Sequence, residues 1–188
     1  MAGLINAALL TGEEIAAIEQ ALEEELIKRA LNAGLATDRD GLVVRDILPK
    51  TDFGSSYFSN DEWVWHASIG GNSWVKGIEK DLDNDFAVGF YGVIGPRSST
   101  TKTVAVKFML RETMTKDIWH IEQCRVPEAA SVDMVFGVTK SPVVYNPNDT
   151  VVVYLYGTGT ATADSETIVL LGKVVEPVGR TVHGGVRP

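Results

Sequence analysis

A single cysteine, Cys124, stands in the 188 residues, so no disulfide can staple the chain to itself. Histidine is nearly as scarce. His66, His120 and His183 have no neighbouring serine or cysteine in an arrangement that names a nucleophilic triad. The G-x-S-x-G elbow of esterase-like enzymes is absent. Basic residues are outnumbered, 17 Lys and Arg against 25 Asp and Glu, which gives a net charge of −8. Such a surface repels phosphate, so neither nucleic acid nor an anionic membrane is expected as a direct partner. No stretch approaches about 18 uninterrupted apolar residues, so no membrane-spanning helix is expected. The opening MAGLINAALL has no basic stretch and only a short apolar run, which makes it a poor signal peptide. Helical periodicity is lacking as well beyond the first 35 or so residues, which excludes a parallel βαβ sheet.

What is present is a globular composition, 45% apolar and 22% charged, in a chain long enough to fold on its core without disulfides or metals. Its one helical segment carries explicit boundaries. Thr11 precedes Glu14 by three positions, the spacing of a capping box, and Leu10 and Ile15 sit where a hydrophobic staple would form. Glu13 and Glu14 suit the positive end of the helix dipole, and Lys28 and Arg29 the negative end. Gly34 fits the left-handed residue after the last turn. Ile15, Ile18, Leu22, Leu26, Ala30 and Ala33 form a stripe at helical spacing, widened by Ile27 and Leu31. Glu19, Glu23, Glu24 and Glu25 are expected on the solvent side. The pattern leaves open whether the stripe packs within the chain or on a neighbour.

Beyond the polar connector ATDRDG, residues 36–41, short β-like runs follow at 42–48, 63–67, 73–78, 86–94, 102–110, 116–125, 132–138, 143–145, 151–156 and 167–175. Gly, Pro, Asn and Asp punctuate them, most densely at Asn146, Pro147, Asn148 and Asp149. The number and shortness of these runs predict a mainly β protein, an antiparallel jelly-roll-like β-sandwich preceded by one amphipathic α-helix. Three parts are expected: an apolar arm and helix over 1–35, a sandwich over 36–175 and an extended arm over 176–188. Alternation places Val104, Val106, Phe108, Val151, Val153, Leu155, Val169 and Leu171 in the core.

The chemical candidates weaken on inspection of their spacing. His120, Glu122 and Cys124 are zinc-ligand types, but on a strand they spread over roughly 13 Å, too far for one tetrahedral ion. Asp81, Asp83 and Asp85 resemble the start of a calcium loop, yet Phe86 and Gly92 stand where an EF-hand needs glycine and glutamate. Residues 157–162, GTGTAT, lack the lysine and following helix of a phosphate loop. Trp63, Trp65, Trp74 and Trp119 suit a core or interface better than a sugar platform. No enzyme activity, metal, cofactor or small-molecule ligand is therefore expected.

The termini read differently. Residues 1–10 hold Leu4, Ile5, Leu9 and Leu10 without a side-chain charge, and residues 176–188 carry Arg180 and Arg187 on an otherwise acidic protein. Arms of this kind are expected to gain order from neighbouring subunits. Together with the stretch VVVYLYGTGTATADSETIVLLGKVVEPVG, this layout resembles the capsid and capsid-decorating proteins of bacterial and archaeal viruses. The resemblance implies a virion structural protein that associates with itself and with other capsid subunits. A carbohydrate-binding β-sandwich module of a surface or fibre protein is the alternative reading.

Overall fold

The computed structural model describes residues 3–54, 59–69, 71–96, 101–126, 134–159 and 164–180. In chain order its strands are β1 (Ile5–Asn6), β2 (Leu42–Asp46), β3 (Ser59–Asn60), β4 (Trp65–Ile69), β5 (Ser73–Asp81), β6 (Ala87–Pro96), β7 (Thr101–Leu110), β8 (Met114–His120), β9 (Arg125–Val126), β10 (Met134–Tyr145), β11 (Thr150–Gly159) and β12 (Asp164–Pro177). One long helix, α1 (Gly12–Asn32), lies between β1 and β2.

The strands form two sheets. The larger runs β1-β10-β6-β12-β4-β3, with β2 also on β12 and β9 on β10; the smaller runs β5-β11-β7-β8. Among the eight strands β4, β5, β6, β7, β8, β10, β11 and β12, the first pairs with the last, the second with the seventh, the third with the sixth and the fourth with the fifth, all antiparallel. That nested pairing is a hairpin ribbon rolled into a sandwich, the jelly-roll topology.

Aromatic rings fill the space between the sheets. The Phe90 ring centroid lies 5.3 Å from Phe108, 6.1 Å from Phe53 and 6.3 Å from Tyr145, and Phe108 meets Trp119 at 4.4 Å with the rings tilted by 58°. A second core lies outside the larger sheet. There Ile18, Leu22, Leu26, Ile27 and Ala30 of α1 pack on Ala87, Tyr91, Val138, Val144 and Val175. The helical stripe is thus consumed within the chain.

The ends of α1 form as their local chemistry requires. Thr11 Oγ1 accepts from Glu14 N–H at 3.2 Å, and a Glu14 carboxylate oxygen accepts from Thr11 N–H at 2.9 Å. That bond from Thr11 N–H holds the Glu14 carboxyl below its ordinary range. Gly34 has φ of +77°, and Leu35 N–H returns to Ala30 O at 3.0 Å, closing the last turn. Replacing Thr11 by Ala is expected to cost about 1 kcal/mol. Thermal denaturation should show it as a fall of about 2–4 °C.

Several expectations need correction. Val106, Phe108, Val151, Val153 and Leu155 are buried, but Val104, Val169 and Leu171 are only half-buried. On β12 it is Ile168, Leu170 and Val174 that enter the space between the sheets, while Leu171 and Val175 face the helix. Both faces of this strand are covered, so alternation could not choose between them. The runs at 132–138 and 143–145 are one strand, β10, with a register shift between Val138 and Val143. The run read over 116–125 stops at His120, and Glu122–Cys124 form a 3-10 turn. β12 continues to Pro177, two residues past the expected end of the sandwich.

Candidate interaction surfaces

The residues singled out at the termini separate into distinct environments. Leu4 is 5% exposed and belongs to the core between the sheets. Ile5 pairs with Val138 at the edge of the larger sheet. Gln123 Nε2 donates to Leu4 O at 2.9 Å, and Asn6 Nδ2 donates to Arg125 O at 3.2 Å. Leu4 to Asn6 are therefore held within the chain, by a core contact and a short edge strand. They stay because an apolar side chain and two edge hydrogen bonds have local partners. Leu10 packs beside the helix core, whereas Leu9 is 79% exposed. Arg180 is held at home: its Nη1 donates to Glu176 Oε2 at 2.6 Å, and its guanidinium lies 4.1 Å from the Phe86 ring centroid. Arg187 lies outside the described residues.

Arg180 belongs to a larger network at the foot of the sandwich. Arg45 on β2 forks onto Asp52 at 2.7 and 2.9 Å and reaches Glu176 on β12 at 2.9 and 3.2 Å. Asp52, in the turn Pro49–Phe53, also accepts from Leu48 N–H at 2.7 Å. Asp52 and Glu176 are almost wholly buried. Burial opposes the charge on Arg45, but its bonds to the two carboxylates prevail and raise its pKa. This network locks the turn and the last strand together.

The tryptophans divide as well. Trp65 and Trp119 are core residues, while Trp63 is 64% exposed and Trp74 lies on the outside of the smaller sheet. The run read over 63–67 took in Trp63, but β4 begins only at Trp65, so Trp63 lies outside the strand. On the smaller sheet Trp74 meets Tyr156 at 5.1 Å, and Lys107 Nζ sits 4.6 Å from the Trp74 centroid and 4.7 Å from that of Tyr154. One face of both rings is thus occupied by an ammonium group.

Trp63 stands on the rim of a groove of about 290 Å³ beside the helix. Tyr91, Val169 and Leu171 form its apolar part, with Glu19, Asp46 and Lys173 at its polar border. Lys173 Nζ lies 2.8 Å from Asp46, 3.4 Å from Glu23 and 3.9 Å from Glu19. Burial opposes the Lys173 charge, but Asp46, Glu19 and Glu23 outweigh it and raise its pKa. The Tyr91 hydroxyl donates to Glu19, and burial followed by that carboxylate raises the phenol pKa. Glu19 and Glu23 are therefore half-buried partners of a sheet lysine, not free solvent groups; only Glu24 among the four later helix glutamates is exposed. Their spacing of four residues signals one helix face, but the partner 150 residues later does not show in a local pattern.

No group of three or more His, Cys, Asp or Glu is placed to hold a metal among the described residues. Cys124 is fully buried, and burial pushes its thiol up to about 11. Asp83 takes a left-handed turn conformation, with φ of +50°, between β5 and β6. Residues 160–162 of the glycine-threonine run fall outside the described residues, and 157–159 end β11. No helix among the described residues is long and apolar enough to cross a membrane.

No protein-family model and no curated protein matches the sequence. Solved structures with a related layout come from infectious bursal disease virus. The Gt strain structure aligns at 12% identity and a TM-score of 0.37, covering 80% of this chain and 34% of that one. The VP2 subviral particle aligns at 9% identity and 0.37, covering 78% and 35%. The Gx strain structure aligns at 8% identity and 0.32, covering 75% and 33%. The chain spans about a third of the length of each.

Proposed function

We propose that this chain is a virion structural protein, a subunit that builds or cements a shell by associating with copies of itself and with other shell subunits. The jelly roll alone does not decide this, because capsid, lectin and cupin domains share it. The observation that carries the reading is Trp63, 64% exposed beside a groove floored by Tyr91, Val169 and Leu171. An indole left in water next to an apolar groove with a charged border has the make-up of an interface hot spot. In a symmetric assembly the same patch recurs on every subunit, so Trp63 of one copy can enter the groove of the next. Leu9, the most exposed large apolar side chain among the described residues, offers a second contact.

Sedimentation velocity of the purified chain across a concentration series tests the proposal. The parent protein should associate. Trp63→Ala should weaken association by about 30-fold or more, the scale of a hot-spot residue. Its melting curve should barely move, because the side chain contributes little to the intrachain core. A parent protein that stays monomeric throughout, or a variant that associates equally well, sinks the reading.

A further inference from the structure

Trp63 stands on the rim of the same groove that would receive a neighbour's Trp63. The exposed indole and its receptor are therefore parts of one patch. When the indole of one copy enters the groove of a second, the body of the second lies over the first copy's own groove. A third copy is then shut out of it. The second copy's own indole is not, because it is already at the rim. A patch that meets itself in this way closes as a two-fold pair, with each copy giving an indole and receiving one.

A patch that meets itself also meets its own charge. Glu19, Glu23 and Asp46 border the groove around Lys173. Lys173 is spent on these three carboxylates, with its side chain only 14% exposed, and does not reach across to a partner. The segment that carries Trp63 adds Asp61 and Glu62, both exposed. Trp63 N–H donates to Asp61 Oδ1 at 3.5 Å, and Glu62 accepts from Thr51 Oγ1 at 3.3 Å. Exposed Lys50 is tied to the same place, its N–H donating to Asp61 O at 3.2 Å. Residues 55–58 contribute no charged side chain. Among the described residues, five carboxylates thus stand against two ammonium groups. His66 Nε2 lies 3.7 Å from Asp61, and with a full charge counted there the patch is still negative. In a two-fold pair this excess faces an identical excess, and like charges brought together oppose association.

Resting on the Trp63 contact above, we propose that it is a two-fold dimer contact gated by ionic strength. Burial of the indole draws two copies together, and the carboxylates around it hold them apart until salt screens them. At about 0.1 M salt a charge is felt over about 10 Å, and at about 1 M over about 3 Å. Screening removes the repulsion and leaves the apolar contact in place.

Sedimentation velocity of the full chain at about 0.1 and about 1 M sodium chloride tests the gate. The species that Trp63→Ala removes should be a dimer, and the parent's dissociation constant should fall by about fivefold or more between the two salts. Glu62→Lys separates screening from a general salting-out of apolar surface. It exchanges an exposed carboxylate for an ammonium on each copy and loses only a surface bond to Thr51, so it should melt like the parent. It should dimerise more tightly than the parent at the lower salt and lose most of the salt response. Trp63→Ala associating like the parent at both salts removes the Trp63 contact itself, and the gate with it. If Trp63→Ala does abolish association, three results overturn the inference while the contact stands. They are a parent dimer indifferent to salt or weakened by it, a Glu62→Lys dimer no tighter at the lower salt, and a Trp63-dependent series that grows past the dimer.

Discussion

Arg45→Met is expected to destabilise the protein by about 3–5 kcal/mol, since it leaves buried carboxylates without their cation. Asp52 is 3% exposed and Glu176 4%, so water cannot take over the lost hydrogen bonds. Arg180 still reaches Glu176, but nothing else among the described side chains forks onto Asp52. The damage should therefore concentrate on the turn Pro49–Phe53, whose Asp52 also binds Leu48 N–H. Chemical denaturation measures the loss. Adding Asp52→Asn should return part of it, because a neutral amide costs less to bury than an unpaired charge. A parent-like midpoint for Arg45→Met would mean that the network contributes nothing, and a double variant worse than the single would refute the electrostatic account.

Removal of residues 1–10 is the second large effect. It takes Leu4 from the core and strips β1 from the edge of β10. Gly137 shows how closely the pieces fit. A Cβ there would lie 2.6 Å from Cys124 Sγ and 3.2 Å from Leu4 Cδ1, so the glycine leaves room for both side chains. Loss of a buried leucine with its cavity costs about 2–5 kcal/mol. For a chain of this length that corresponds to a fall in melting temperature of about 5–20 °C. Cys124, whose thiol sits at about 11, should be inert to thiol reagents at neutral pH in the intact protein and reactive in the truncated one. An unchanged melting curve together with a silent Cys124 would show that the N-terminal residues are a passive tail.

These two regions also show what the residues reveal on their own. The helix, its caps and its stripe were legible because every determinant lies within four residues of its partner, as with Thr11 and Glu14. The antiparallel sandwich was legible from the number and punctuation of its strands. The face of β12 was not, because Leu170 and Leu171 are both apolar and both covered. Trp63 was read into the run over 63–67 because composition cannot say where a strand begins. The Arg45 network was invisible, with Arg45 and Glu176 separated by 131 residues and each unremarkable in its neighbourhood.

The position of β12 in the larger sheet has a consequence for the timing of synthesis. This strand is made last of the eight jelly-roll strands, yet it sits between β6 on one side and β2 and β4 on the other. Until residues 164–177 have left the ribosome, the larger sheet lacks its middle and the ribbon cannot roll shut. Folding must wait for contacts between distant parts of the chain, which is the slow regime. The same strand supplies Val169, Leu171 and Lys173 to the groove beside Trp63. Under the proposed Trp63 contact, a nascent chain would carry the exposed indole without the groove that receives a neighbour's, so a subunit would become competent to associate only after it has finished folding.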